Sequence, residues 1–349
     1  MHSPRRYLIC PDSMKGSLTA RQAAEAMRKG VLDADPGASV TMMPLADGGE
    51  GTAAILGEAM HGVLVQTDTV DALCRPLSAG YYITPDGVAV IDVASTVGLG
   101  LLRRPELDIM LASSRGVGLM MLDALRRGIR RFIIGMGGSA CCDGGRGMYE
   151  AVIDEISGRV VNIDITVLCD VNNPFYGPSG AACVFAPQKG ATAAQVGILD
   201  RRLMRWCDEL HRLTGRDVSQ LPGAGAAGGI AGMLAAVTGA SLQSGIRYVT
   251  GVLGLDRAMH ESDLVLTGEG RIDSQTLGGK TLSGVANMAR RSGVAVIAFG
   301  GSIETSTLLQ ESFSRLVTFT PQGMPLDDAM RPDIAAANLR RAVATALNS

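Results

Sequence analysis

The sequence predicts an α/β fold: an open parallel sheet of about six strands, with a second α/β domain inserted into it. Two observations predict the sheet. Short apolar runs recur at RRYLIC, VTMMPL, RFIIG, LVLTG, VAVIAF and LVTFT, and each ends in glycine and polar residues. Strands that spill polar loops from their C-terminal ends describe a parallel sheet, whose ligands bind outside those ends. A third observation predicts the insertion. From about Val63 to Ile109 the pattern shifts to short extended runs such as GVLVQTDTV and GVAVIDVAS, with turns at Pro76 and Pro85-Asp86-Gly87, which belong to a different sheet.

At 349 residues the length suits roughly two domains, and 46% hydrophobic residues is ample for their cores. With 32 basic and 34 acidic residues the net charge is −2, which gives no electrostatic reason to expect nucleic acid or an anionic membrane as partner. A small molecule is the expected partner. Seven cysteines without CxxC or Cys/His pairing predict reduced thiols and a cytoplasmic protein. The opening MHSPRRYLICPDS lacks an apolar core, so no secretory signal is expected. The uncharged span Val218–Ile246 centres on GAGAAGGIAGMLAAVTGA, too weakly apolar to insert in a membrane and better suited to a tightly packed helix.

In chain order, Tyr7–Cys10 is the first strand and Pro11–Ser17 its loop. Thr19 with Gln22 makes a capping box for a helix to about Leu32. Asp12, Ser13, Lys15 and Ser17 therefore lie beside a helix N-terminus, which favours anions; simple capping by Ser17 is the alternative for that residue. Val40–Leu45 is the second strand and ADGGEGT its loop, opening a helix to about Met60. Asp47 and Glu50 are suited to Mg²⁺ or a proton, or merely to the helix dipole.

Val117–Arg127 reads as a helix stopped by Gly128, returning the chain to the main sheet at Arg131–Gly135. The following GMGGSA fits the dinucleotide pattern G-x-G-x-x-A, with Asp154 near the offset of a ribose contact. An NAD-dependent oxidoreductase is the rival this supports. Against it, CCDGGRG follows where that fingerprint wants an uninterrupted helix. Thr166–Cys169 is a strand ending in Asp170, Asn172, Asn173 and Pro174; Asp170 and Asn173 suit a metal or a substrate hydroxyl, or simply make a turn. Gln188-Lys189-Gly190 adds a polar turn. Residues 248–260 and 332–347 read as helices, the last a closing surface helix.

Leu264–Thr281, LVLTGEGRIDSQTLGGKT, organises the rest. Leu264–Leu266 form a buried strand, and Gly268, Gly270, Gly278 and Gly279 permit close backbone approach beside Glu269, Arg271, Asp273, Ser274, Gln275, Thr276 and Lys280. GGKT falls short of a phosphate loop because Ser274 stands where its first glycine belongs, but a lysine opening a helix still suits phosphate.

Six blocks, PDSMKGSLTARQAAEAM, PLADGGEGT, GMGGSACCDGGRGM, CDVNNPFYGPSGAACVFAPQKGAT, LPGAGAAGGIAGM and LTGEGRIDSQTLGGKT, together resemble the bacterial glycerate kinase family, in order and over nearly the whole chain. The resemblance implies ATP-dependent phosphorylation of D-glycerate, to 2-phosphoglycerate in the better-known members. It also implies a Rossmann-like domain, at 1–62, 112–148 and 258–349, and a second α/β domain, at 63–111 and 149–257, with an active-site cleft between them. Two departures stand out: Cys141-Cys142 replaces a usual Thr-Asn pair, and Gly147–Cys169 is shorter than the family pattern.

Phosphoryl transfer needs an in-line acceptor hydroxyl, Mg²⁺ and neutralised phosphate charge. Under the resemblance, Gly137, Gly138, Ser139, Gly268 and Gly270 are expected to cradle ATP, at what read as glycine-lined helix starts, with Lys15 and Lys280 as clamps. Asp47 and Glu269 are the expected Mg²⁺ ligands. Asp273 is the expected base, with Lys15 and Asp170 also catalytic. Arg271 is expected on the glycerate carboxylate, with Asp12, Ser13 and Asn173 completing the substrate site. A non-catalytic relative that kept the binding residues is the third alternative. A homodimer is left open.

Overall fold

The computed structural model describes residues 4–156, 163–273, 276, 281–304 and 306–348. The chain divides into two compact units, one of Met1–Ala46 with Ile246–Ser349, the other of Asp47–Gly245.

In the first unit, five strands form one sheet: β1 (Arg6–Ile9), β2 (Ser39–Met42), β9 (Leu264–Ile272), β10 (Val296–Ile303) and β11 (Arg315–Thr318), in the order β11-β10-β9-β1-β2. Every pairing is parallel, with Tyr7 beside Val40 and Leu264, and Leu266 beside Ile297. Tyr7, Ile9, Leu264, Leu266, Ile297 and Phe299 share a core with Met27 and Val31 of helix Ala20–Ala34 and Leu339 and Val343 of helix Pro332–Asn348. The alternate residues Leu8 and Val265 are equally buried, so both faces are covered, as a parallel sheet requires. Helix Ala20–Ala34 starts as its sequence predicts: Thr19 Oγ1 accepts from Gln22 N, and the Gln22 side chain accepts from Thr19 N. The closing helix Pro332–Asn348 is one-sided rather than superficial, since its apolar stripe completes this core.

The second unit holds six strands: β3 (Val63–Val70), β4 (Pro76–Ile83), β5 (Val88–Asp92), β6 (Arg131–Gly135), β7 (Asp164–Leu168) and β8 (Ser241–Gln243). They lie in sequence order, antiparallel from β3 to β5 and parallel from β5 to β8. Helices Arg115–Arg126 and Ala193–Thr214 pack Val117, Met120, Leu199 and Leu203 into one core with Ile91, Ile134 and Val167. The glycine-alanine stretch becomes a short turn and helix Ile230–Thr238, buried from Ile230 through Ala236. Among the described residues no helix is long and apolar enough to cross a membrane.

One expectation is corrected here. Arg131–Gly135 does not return to the first sheet; β6 sits between β5 and β7, so the first sheet has five strands. An apolar run reports burial, not which strand lies beside it. The two compact units divide at 46/47 and 245/246. Helix Thr52–Ala59 belongs with the second unit because the β5 carboxylate of Asp92 accepts from Gly51 N and Ala53 N, each at 2.9 Å. Ile246, conversely, packs against Gly284 of helix Thr281–Ser292 in the first unit.

Candidate functional site

In the first unit β1 and β9 are hydrogen-bonded neighbours, so the loops leaving their C-terminal ends meet. Asp12 N donates to Gly268 O at 2.9 Å, and Thr267 Oγ1 donates to Cys10 O at 2.8 Å. The buried Asp12 carboxylate accepts from Ser13 N at 2.6 Å and from Thr281 Oγ1 at 2.5 Å, tying the first loop to the start of helix Thr281–Ser292. Lys15 is exposed, its backbone passing beside Gly270.

Across from this loop, Thr276 is a hub. Its hydroxyl donates to Glu269 Oε1 at 2.6 Å and accepts from Asp273 N at 3.1 Å, while its own N–H donates to Asp273 O at 3.0 Å. Arg271 Nε lies 3.1 Å from Asp273 Oδ2, and its Nη2 lies 3.3 Å from Glu304 Oε2. The Arg271 side chain is 68% exposed, and ion pairs in water are weak, so its planar fork can be exchanged onto a ligand carboxylate at little cost. Asp12, Ser13, Lys15, Glu269, Gly270, Arg271 and Asp273 therefore gather at the C-terminal ends of β1 and β9. Lys280, with Ser274, Gln275, Gly278 and Gly279, lies outside the described residues.

Gly268 and Gly270 do not open a helix. They lie inside β9, which continues to Ile272. Gly268 is required for close approach of β10: a Cβ there would stand 2.4 Å from Phe299 O.

In the second unit the ends of β5, β6 and β7 lie side by side. Gly137 N donates to Gly48 O at 2.9 Å, bringing the loop of Asp47 against the turn Gly137–Ser139. Asp47 is partly exposed, with Oδ1 accepting from Gly49 N at 3.2 Å. No helix opens at Gly137, Gly138 or Ser139; the next begins at Arg146. The turn instead bridges Gly98 through Leu99 N to Gly138 O and Ala140 N to Val97 O. GMGGSA thus lacks the helix N-terminus on which a dinucleotide fingerprint depends. Asp170 and Asn173 follow β7. Asn173 Nδ2 donates to Ser179 O at 2.7 Å and its carbonyl accepts from Gly225 N, so that side chain holds its own turn.

Among the described residues no three His, Cys, Asp or Glu side chains form a metal shell. Mg²⁺ carried mainly by nucleotide phosphates needs only one or two protein carboxylates rather than an all-protein cage.

Three residues that the sequence reading gave no role in the site sit in these networks. Thr276 was visible only as one polar residue among many. Asp92 ends the apolar strand VAVID, where burial pushes its carboxyl up to about 7 against the two N–H bonds it accepts; a charge closing a buried strand is the signal that marks it. Lys189 looks like a solvated turn residue but is 3% exposed, with Nζ donating to Ser139 Oγ at 2.9 Å and to Cys141 O at 2.7 Å.

The glycerate kinase family model matches residues 7–153 and 150–348. Its two stretches overlap in helix Arg146–Ile156. The glycerate kinase of Bacillus subtilis (strain 168) is 37% identical, covering 93% of this chain and 92% of the relative. The glycerate 2-kinase of Escherichia coli (strain K12) is 36% identical over 93% of each. A crystal structure from Salmonella typhimurium LT2, described as that of a glycerate kinase 2, matches with TM-score 0.79 and 36% identity over 99% of this chain and 97% of that one.

Proposed function

This chain belongs to the glycerate kinase family, and we propose that it transfers the γ-phosphoryl group of ATP to D-glycerate, forming 2-phosphoglycerate. The observation that carries this is the cluster at the ends of β1 and β9, which offers a carboxylate pair, an exposed guanidinium and an exposed lysine. The all-parallel sheet beneath it supports a Rossmann-like description of the first unit.

Each group has a role suited to its surroundings. Asp273, oriented by Thr276 through its backbone and by Arg271 through its carboxylate, takes the proton of the attacking hydroxyl. Arg271 shifts onto the glycerate carboxylate. In the first unit Asp12 and Ser13 shape the substrate loop; in the second, Asn173 and Asp170 are the candidate substrate contacts. Lys15 neutralises charge on the transferred group, together with Lys280. In the second unit the turn Gly137–Ser139 offers backbone to the nucleotide; in the first, Gly268 and Gly270 let β9 pack closely beneath the cluster. Glu269 in the first unit and Asp47 in the second are the candidate holders of Mg²⁺, which would supply neutralisation of phosphate charge. Free thiols and the absence of a membrane-length helix among the described residues support a cytoplasmic setting.

The test is ADP release with ATP, Mg²⁺ and D-glycerate. Release that requires D-glycerate supports the proposal. Release independent of glycerate, or glycerate oxidation with NAD and no need for ATP, overturns it.

A further inference from the structure

The ammonium of Lys189 is buried with neutral partners only, a hydroxyl and a carbonyl. Among the described residues no carboxylate comes within the 4.0 Å of an ion pair. Asp143, a few residues along the same loop, is engaged by neutral donors instead: Ser114 N and Oγ, Gly145 N and Gly147 N. A buried charge without a counter-charge is costly, and an ammonium has three protons to place while the described residues present two acceptors.

Its neighbours are likewise donors in excess. Ser139 Oγ accepts from Lys189, so its hydroxyl proton is left pointing elsewhere, and no acceptor for it exists among the described residues. The amide N–H groups of Gly138 and Ser139 have none there either. Gly138 is exposed and turns the chain at φ +78°, a backbone state that suits adjacent amides to a shared anion. The turn leaves the C-terminal end of β6, the ligand side of a parallel sheet.

We propose that Lys189, Ser139 and the Gly138–Ser139 amides form an oxyanion site in the second unit, with Lys189 acting through the Ser139 hydroxyl as a positioning and charge-supplying residue. Resting on the kinase assignment for its ligand, the site takes either the glycerate carboxylate or a phosphoryl group of ATP. Both present the same chemistry, an anionic oxygen that accepts several hydrogen bonds.

The experiment is calorimetric titration of the full chain and its Lys189→Met variant with D-glycerate, ATP and inorganic phosphate separately, with circular dichroism to verify folding. The variant is expected to bind one class about tenfold or more weakly, the scale of a lost charge-assisted hydrogen bond, and the other class unchanged. Selective loss for D-glycerate identifies the carboxylate; selective loss for ATP and phosphate identifies the phosphoryl group. A folded variant with all affinities within about twofold of wild type, or a wild type that binds none of the three, overturns the site. If Lys189→Met does not fold, Ser139→Ala, which keeps the lysine, is read by the same criteria. A wild type that binds but transfers no phosphoryl group removes the kinase assignment and leaves the oxyanion site standing.

Discussion

Replacing Asp92 by Asn is expected to remove a pH dependence from the stability of the second unit. In the folded chain Asp92 is buried at the end of β5, and its carboxyl is pushed up to about 7 from an ordinary 3.8. Folding therefore binds a proton that the unfolded chain releases above pH 4, so this residue's contribution to stability falls as pH rises between about 4 and 7. A shift of about 3 units at 1.36 kcal/mol each corresponds to about 4 kcal/mol lost across that window. Asn cannot ionise, so its variant lacks this slope, although an amide NH₂ facing Gly51 N or Ala53 N replaces one capping bond with a donor-donor contact costing about 1–3 kcal/mol. The variant should thus be less stable than wild type near pH 5 and should gain on it by pH 8. Urea unfolding of both proteins at half-unit pH steps measures the difference, and taking the difference cancels ion-paired carboxylates such as Glu106 and Asp263, which are held low at about 2 and act in the opposite sense. A wild-type-minus-variant difference that stays flat from pH 4.5 to 8 refutes a buried, proton-holding Asp92.

Three further outcomes are expected. Asp273→Asn should lower kcat by about 10²–10⁴ with a small change in KM, measured by ADP release, because it removes a proton acceptor and leaves the Thr276 contacts to the backbone intact. Arg271→Lys should raise the KM for D-glycerate by about tenfold and leave that for ATP unchanged, since an ammonium cannot match the bidentate fork. Native thiol labelling should be fast at Cys74, the exposed cysteine, and slow at Cys10, Cys141 and Cys142, whose burial pushes their thiols up, to about 12 for Cys10 and about 11 for Cys142. Mass spectrometry of the labelled chain locates the adducts.

Much of the first unit was legible because its signals are local. The Thr19–Gln22 capping box and the apolar runs of β1, β9 and β10 each declare themselves within a few residues. The gathering of Asp12 with Glu269 and Asp273 also followed, because adjacent parallel strands deliver their loops to one edge. What failed was non-local. RFIIG carries no mark of the strand it will pair with, and the glycines of GEG and GMGG suit tight strand and turn packing as well as a helix start. Lys189 escaped for the same reason: a lysine in a polar turn reads as solvated until a second segment, here Ser139 and Cys141, closes over it.

Phosphorus NMR of the reaction of ATP, Mg²⁺ and D-glycerate bears most directly on the whole account. It should show ADP appearing in step with a phosphomonoester whose proton coupling places phosphorus on the secondary, 2-position oxygen of glycerate. A spectrum in which ATP persists unchanged in the presence of D-glycerate contradicts the assignment of this site to glycerate phosphorylation.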